Sequence, residues 1–150
     1  MRLLRRLGAG VKNKLDKRGK MMYYQYDSKN SIPVPAPYKR YMTPLFMGDD
    51  ESIKETNFSC HITEWEPGCE IDLHSHPVGM ESMYCISGEG VCSINGKEHP
   101  FIPGSMIVAP PGVSHQIRNT GKEMLRVFCV FSPPVTGASL RQRAMEAMKK

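Results

Sequence analysis

Residues 68–88 read GCEIDLHSHPVGMESMYCISG, and residues 104–119 read GSMIVAPPGVSHQIRN. His74 and His76 stand one residue apart in a stretch that reads as a strand. There, side chains at i and i+2 share a face, so both imidazoles point the same way. The turn-like Pro77-Val78-Gly79-Met80 follows, and Glu81 opens the next strand. Across a hairpin, a residue just after the turn lies opposite residues just before it, which brings Glu81 to the histidine pair. His115 begins another strand behind the Pro110-Pro111-Gly112 turn. Three imidazoles and one carboxylate converging inside a β structure make a divalent-metal site, with positions left for water or substrate. Structural zinc would draw on the cysteines instead.

Around these blocks the chain alternates short apolar runs with turn residues: Glu66-Pro67-Gly68, Ser87-Gly88-Glu89-Gly90, Asn95-Gly96, Ile102-Pro103-Gly104 and Asn119-Thr120-Gly121. A turn every 8 to 12 residues is the signature of an antiparallel sandwich or barrel. The expected strands are 57–65, 69–76, 81–87, 90–95, 98–102, 105–109, 114–118 and 124–132. Asn95-Gly96 marks a hairpin, since both residues tolerate positive φ. Four prolines in residues 31–44 exclude helix interior and central strand there, so that stretch wraps the domain or leads into it. After Pro133-Pro134, Ser139 can cap a helix that runs to Lys149 and Lys150. Three regions result: 1–56, a basic arm and proline-rich extended segment; 57–132, the barrel; 133–150, a C-terminal helix.

The formal charge of +5 divides unevenly: residues 1–20 carry +7, residues 21–135 carry −5, and residues 136–150 carry +3. The folded body is therefore acidic, which argues against a nucleic-acid groove. No apolar run is long enough for a membrane span. The five cysteines, spaced 9, 16, 7 and 37 apart, form neither a disulfide framework nor a zinc ribbon, and point to a reduced, cytoplasmic protein. In the first twenty residues Leu4, Leu7, Val11 and Leu15 give a narrow apolar stripe interrupted by basic residues, an arm rather than an export signal. An overlong start, with Met21 or Met22 as the true first residue, is equally compatible.

The spacings carry a further message. Gly68, five residues, His74, one, His76, four, Glu81, six and Gly88 form one block. Gly104, five residues, Pro110, one, Gly112, two, His115, three and Asn119 form the second, fifteen residues on. At residues 57–132 the chain resembles the cupin superfamily, both of whose motifs are complete here. The resemblance implies an all-β fold, a double-stranded β-helix or jelly-roll barrel, with His74, His76, Glu81 and His115 as metal ligands. It also implies a homodimer, often built by exchanging N-terminal strands, a part open to the extended 31–56 segment. Asn119 closes the second motif in a structural role.

Parity with Glu81 turns Met83 and Cys85 inward, Ile117 shares the parity of His115, and Leu125, Val127, Cys129 and Phe131 offer one face of the last strand. His61 and His99 are expected on the surface or just behind the site, and Trp65 and Tyr84 in packing. Arg118 and Arg126 point outward, so no carboxylate-clamping arginine is evident. The family's functions range over enzymes, sugar-binding regulators and storage proteins, and fold alone does not choose. The complete ligand set favours a metal-dependent enzyme on a small organic substrate, with Fe or Mn as first metals and Ni, Cu, Co or Zn compatible. Oxidative chemistry of dioxygenase type, or isomerase, lyase or decarboxylase chemistry, fits such a site. Similar sites in quercetin dioxygenases suggest Glu81 as the base. A non-catalytic binding or sensing barrel with a bound metal is the alternative, and a purely structural metal a third.

Overall fold

Period-two burial governs the architecture. A computed structural model describes residues 23–51 and 55–147; the basic arm, Met21, Met22, Lys149 and Lys150 lie outside the described residues. After a 3-10 turn at Ser28–Asn30 come strands β1 Ile32–Val34, β2 Arg40–Phe46, β3 Ser59–Trp65, β4 Met80–Ser87 and β5 Gly90–Ile94. They are followed by β6 Lys97–Phe101, β7 Met106–Ala109, β8 His115–Asn119, β9 Leu125–Ser132 and helix α1 Gly137–Ala147. The strands form two antiparallel sheets, one ordered β1-β2-β3-β9-β4-β7 and one ordered β6-β5-β8. The protein is thus mostly β with one short C-terminal helix. None of the described helices is long and apolar enough to cross a membrane.

Along β9 the pattern is strict: Leu125, Val127, Cys129 and Phe131 are buried and their neighbours half-buried. Register then sets equivalent residues side by side, with Trp65 opposite Leu125, Thr63 opposite Val127 and His61 opposite Cys129. On the other flank of β9, Cys85 meets Val127, Met83 meets Cys129 and Glu81 meets Phe131. The small sheet contributes Cys92, Phe101 and Ile117, which pack with Trp65, Met83, Cys85, Ile107, Leu125, Val127 and Cys129 in one cluster that joins the sheets. Burying each of the larger side chains contributes about 1.5–3 kcal/mol.

Turn chemistry fixes the corners. Asn95 and Gly96, at φ 48° and 75°, make the tight link between β5 and β6 that their residue types demand. Gly88 sits at φ +83°, and a Cβ there would lie 2.6 Å from the Met124 carbonyl oxygen, so no other residue fits. Asn119 is a latch: its Nδ2 donates to the Trp65 and Glu123 carbonyls, both at 2.8 Å, and its Oδ1 accepts from the Gly121 N–H at 3.0 Å.

Three local expectations are corrected. Residues 69–76 form no strand; only Glu70 and His74 make isolated bridges, to Arg118 and His115. Backbone hydrogen bonds from this segment to β8 still hold it against the sheet. Strand β2, despite Pro44, lies between β1 and β3; the register slips between Pro44 and Phe46, and that irregularity accommodates a residue with no N–H. Finally, the helix starts at Gly137, before Ser139. Thr136 caps it, its Oγ1 accepting from the Ser139 N–H at 3.0 Å while Ser139 Oγ accepts from the Thr136 N–H at 3.1 Å. Asp49 adds an acceptor for the Gly137 N–H at 2.9 Å.

Candidate metal centre

His74, His76, Glu81 and His115 come together, one ligand atom from each lying within 4.8 Å of the others. Three different devices place them. His74 and His115 exchange backbone hydrogen bonds across their bridge, at 3.1 and 2.8 Å, which brings their rings together, tilted by 54° with centroids 4.3 Å apart. The His76 carbonyl is held by the Gly112 N–H at 2.8 Å, so the turn that introduces His115 also positions His76. Gly112 at φ +77° lets that turn close. Glu81 arrives from β4, paired to Phe131 and Ala109 rather than to the histidine segment, so the hairpin geometry expected for it is not what brings it in.

The hydrogen bonds orient two of the rings. His74 Nδ1 faces the Asp72 carbonyl at 2.8 Å and His115 Nδ1 faces the Val113 carbonyl at 3.0 Å. Carbonyls only accept, so both Nδ1 atoms carry the proton and both Nε2 lone pairs are turned inward. His115 Nε2 then lies 3.2 Å from Glu81 Oε2, and His76 Nε2 lies 2.8 Å from the same oxygen. A neutral His115 and an ionised Glu81 are two acceptors facing each other. Only a shared cation, a proton or a metal ion, reconciles them.

In the metal-free cluster a proton takes that place. Burial would raise the Glu81 carboxyl, but the hydrogen bonds from His115 and His76 outweigh it and hold the group at about 2. Burial would lower His115, but Glu81 and the Val113 carbonyl stabilise its protonated form and raise it. His74 falls to about 4, mainly because burial penalises its charged form. A neutral imidazole is the form that binds metal.

The cluster opens on a cavity of about 280 Å³. Trp65, Ile71, Met83, Ile117, Cys129 and Phe131 make its apolar walls. Cys85 points inward as expected but lies in the apolar cluster away from the cavity, fully buried as apolar filler. His99 and Tyr84 are exposed. Arg118 pairs with Glu98 at 2.8 Å, and Arg126 pairs with Glu64 beneath the Tyr26 ring.

Two cavity residues escaped the sequence reading, Arg40 and Arg143, and a third, His61, was expected on the surface or just behind the site. His61 is buried, stacked on Phe131 at 5.8 Å, and held at about 4 by burial. It also stands with Glu81 and Cys129 in a second group of potential donors. Its parity with Trp65 on β3 was the available signal. Arg40 enters from β2, where the prolines disguised the strand, and Arg143 from α1, which no β pattern could reveal. Arg118 and Arg126 do face outward, and the inward arginines come from elements that the strand parity did not cover.

Comparison with known proteins settles the family. The cupin domain family pattern matches residues 61–131. L-ectoine synthase of Vibrio campbellii is 35% identical over 91 residues, covering 59% of this chain and 70% of the relative. The chain belongs to the cupin superfamily. Among solved structures, this cupin is similar to ectoine synthase from P. lautus, with TM-score 0.62, 29% identity and 78% of each chain covered. It is also similar to a predicted oxalate decarboxylase from Thermotoga maritima, with TM-score 0.60, 27% identity and 69% of this chain against 90% of that one. Cupins often bind metal, and the His/Glu cluster of this one could hold an ion.

Proposed function

We propose that this cupin is a metal-dependent enzyme whose His74, His76, Glu81 and His115 side chains hold one divalent cation and whose cavity takes a small organic substrate. The carrying observation is the convergence of three imidazoles and one carboxylate, one ligand atom from each lying within 4.8 Å of the others. Three neutral nitrogens and one carboxylate suit Fe(II) or Mn(II), with Ni, Cu, Co or Zn compatible. Such an ion supplies Lewis acidity, polarising a carbonyl or stabilising developing negative charge. The relatives, an L-ectoine synthase and a predicted oxalate decarboxylase, support lyase-type or decarboxylase chemistry over oxygen insertion.

The protein's own part is orientation, dryness and proton handling. The Asp72 and Val113 carbonyls fix two imidazole rings, and the apolar walls exclude water. Glu81 is ionised at neutral pH, and swung off the ion it is the carboxylate that would accept a proton from a substrate atom beside the cluster. Five free thiols fit a reducing compartment, the cytoplasm. The exposed outer face carrying Tyr84, Met106 and Val108 supports association with a second copy.

The test is elemental analysis of the full chain purified without an affinity metal. About one divalent ion per chain is expected, lost in His74→Ala and His115→Ala while the β circular-dichroism spectrum persists. Stoichiometric metal retained in both variants overturns the site. Turnover that persists without oxygen separates Lewis-acid from oxygenase chemistry.

A further inference from the structure

Two guanidinium groups line the cavity without belonging to the His/Glu cluster, Arg40 from β2 and Arg143 from α1. Arg40 is only 6% exposed, and its Nε has no hydrogen-bond partner. A buried charged donor left unsatisfied is costly, so its persistence calls for an acceptor that enters the cavity. Each arginine meets the other as a like charge, and both act on His61 in the same way. Glu81 and Asp72 offset part of this charge at Arg40, but Glu81 is committed to His76 and His115.

Arg143 is equally well placed. Leu140 and Ala144 bury against Val34, Met42 and Met47, which seats the helix on β1 and β2. The Arg143 guanidinium lies 4.8 Å above the Phe131 ring, and such stacking fixes its plane while leaving its edge N–H groups free to donate. Asp72 and Glu146 line the same cavity and count against a polyanion such as a phosphate.

We infer that Arg40 and Arg143 form a clamp for a substrate carboxylate between strand β2 and helix α1, with the reacting end of that small organic acid at the His/Glu cluster. The clamp rests on the proposed function for what happens at the other end of the substrate. A carboxylate matches the planar fork of each guanidinium, which a neutral amide does not.

Calorimetric titration of the full chain, metal-loaded and after chelation, tests the clamp with monocarboxylates from acetate to hexanoate and their primary amides. Acids are expected to bind and amides not, with Arg143→Gln weakening acid binding about tenfold or more. Arg40→Lys, which keeps the charge and loses the fork, weakens it less. Arg143 is half-buried on a helix, so its variant keeps the test valid if Arg40 variants fail to fold. Acids and amides binding alike, no acid binding, or an affinity indifferent to Arg143→Gln overturns the clamp. Acid binding abolished by chelation and unmoved by Arg143→Gln overturns it and leaves the metal reading standing. A loss caused by Arg143→Gln in chelated protein supports it whatever becomes of the metal.

Discussion

The same strands build two opposite interiors. At one end, Leu125 and Val127 of β9, Cys85 of β4, Cys92 of β5 and Phe101 of β6 belong to an apolar cluster, with Trp65 of β3 and Ile117 of β8 where that cluster meets the cavity. A few residues along, β3 presents His61, β4 presents Glu81 and β8 presents His115, all lining a cavity. The ladders run through both ends: β3 keeps its register to β9 from Ser59 to Trp65, and β4 keeps its own from Met80 to Cys85 before slipping ahead of Ser87. The difference is chemical. The apolar end provides the stability against which the polar end can bury a carboxylate, several imidazoles and an arginine, each of which costs free energy to desolvate. The cupin therefore separates holding from doing along one strand direction.

That division can be broken from the apolar side first. Phe101, fully buried, anchors the closed end. Phe101→Ala is expected to cost about 3–5 kcal/mol in denaturant unfolding while metal stoichiometry stays unchanged in the folded fraction. Metal loss in protein that is still folded would show that the two ends are not separable.

A smaller effect probes the polar end. Burial holds His61 at about 4, against 6.5 for an unburied histidine. Between those values the unfolded chain binds a proton that the folded chain does not, so stability falls as pH drops through that window and recovers above it. The contribution at pH 4.5 is about 2–3 kcal/mol, and His74, also at about 4, acts in the same direction. His115, raised, acts oppositely: it stabilises below the unfolded value, and that contribution is lost as pH rises. Chemical unfolding of metal-free protein at pH 7 and 4.5 is expected to show a shallower pH dependence in His61→Phe. An unchanged slope would remove His61 from the account.

The smallest effect lies outside both interiors. The Arg118–Glu98 pair is 36% and 58% exposed, so Arg118→Ala is expected to change stability by less than about 1 kcal/mol, and by still less in high salt. A larger loss in thermal unfolding would mean that the small sheet depends on its surface charges.

Most strands and the four cluster residues were legible because they obey local rules: period two, turn glycines, and histidines at set spacings. What escaped did so for physical reasons. The segment 69–76 is held by tertiary hydrogen bonds rather than by a continuous ladder, so a strand pattern appears where no strand forms. Strand β2 tolerates Pro44 through a register slip that composition cannot anticipate. Arg40 and Arg143 reach the cavity from elements separated by about a hundred residues, and only the packing of α1 on β1 and β2 brings them to it.

The burial of the thiols has a consequence for how the protein meets its chemical surroundings. Cys60, Cys85, Cys92 and Cys129 are sealed in the interior, and burial pushes all four thiols up, keeping them protonated and poorly nucleophilic. Cys69 alone is half-exposed. Toward oxidants and alkylating agents this five-cysteine chain therefore behaves as a single-thiol protein, and the other four sulfurs react only at the pace at which the fold opens.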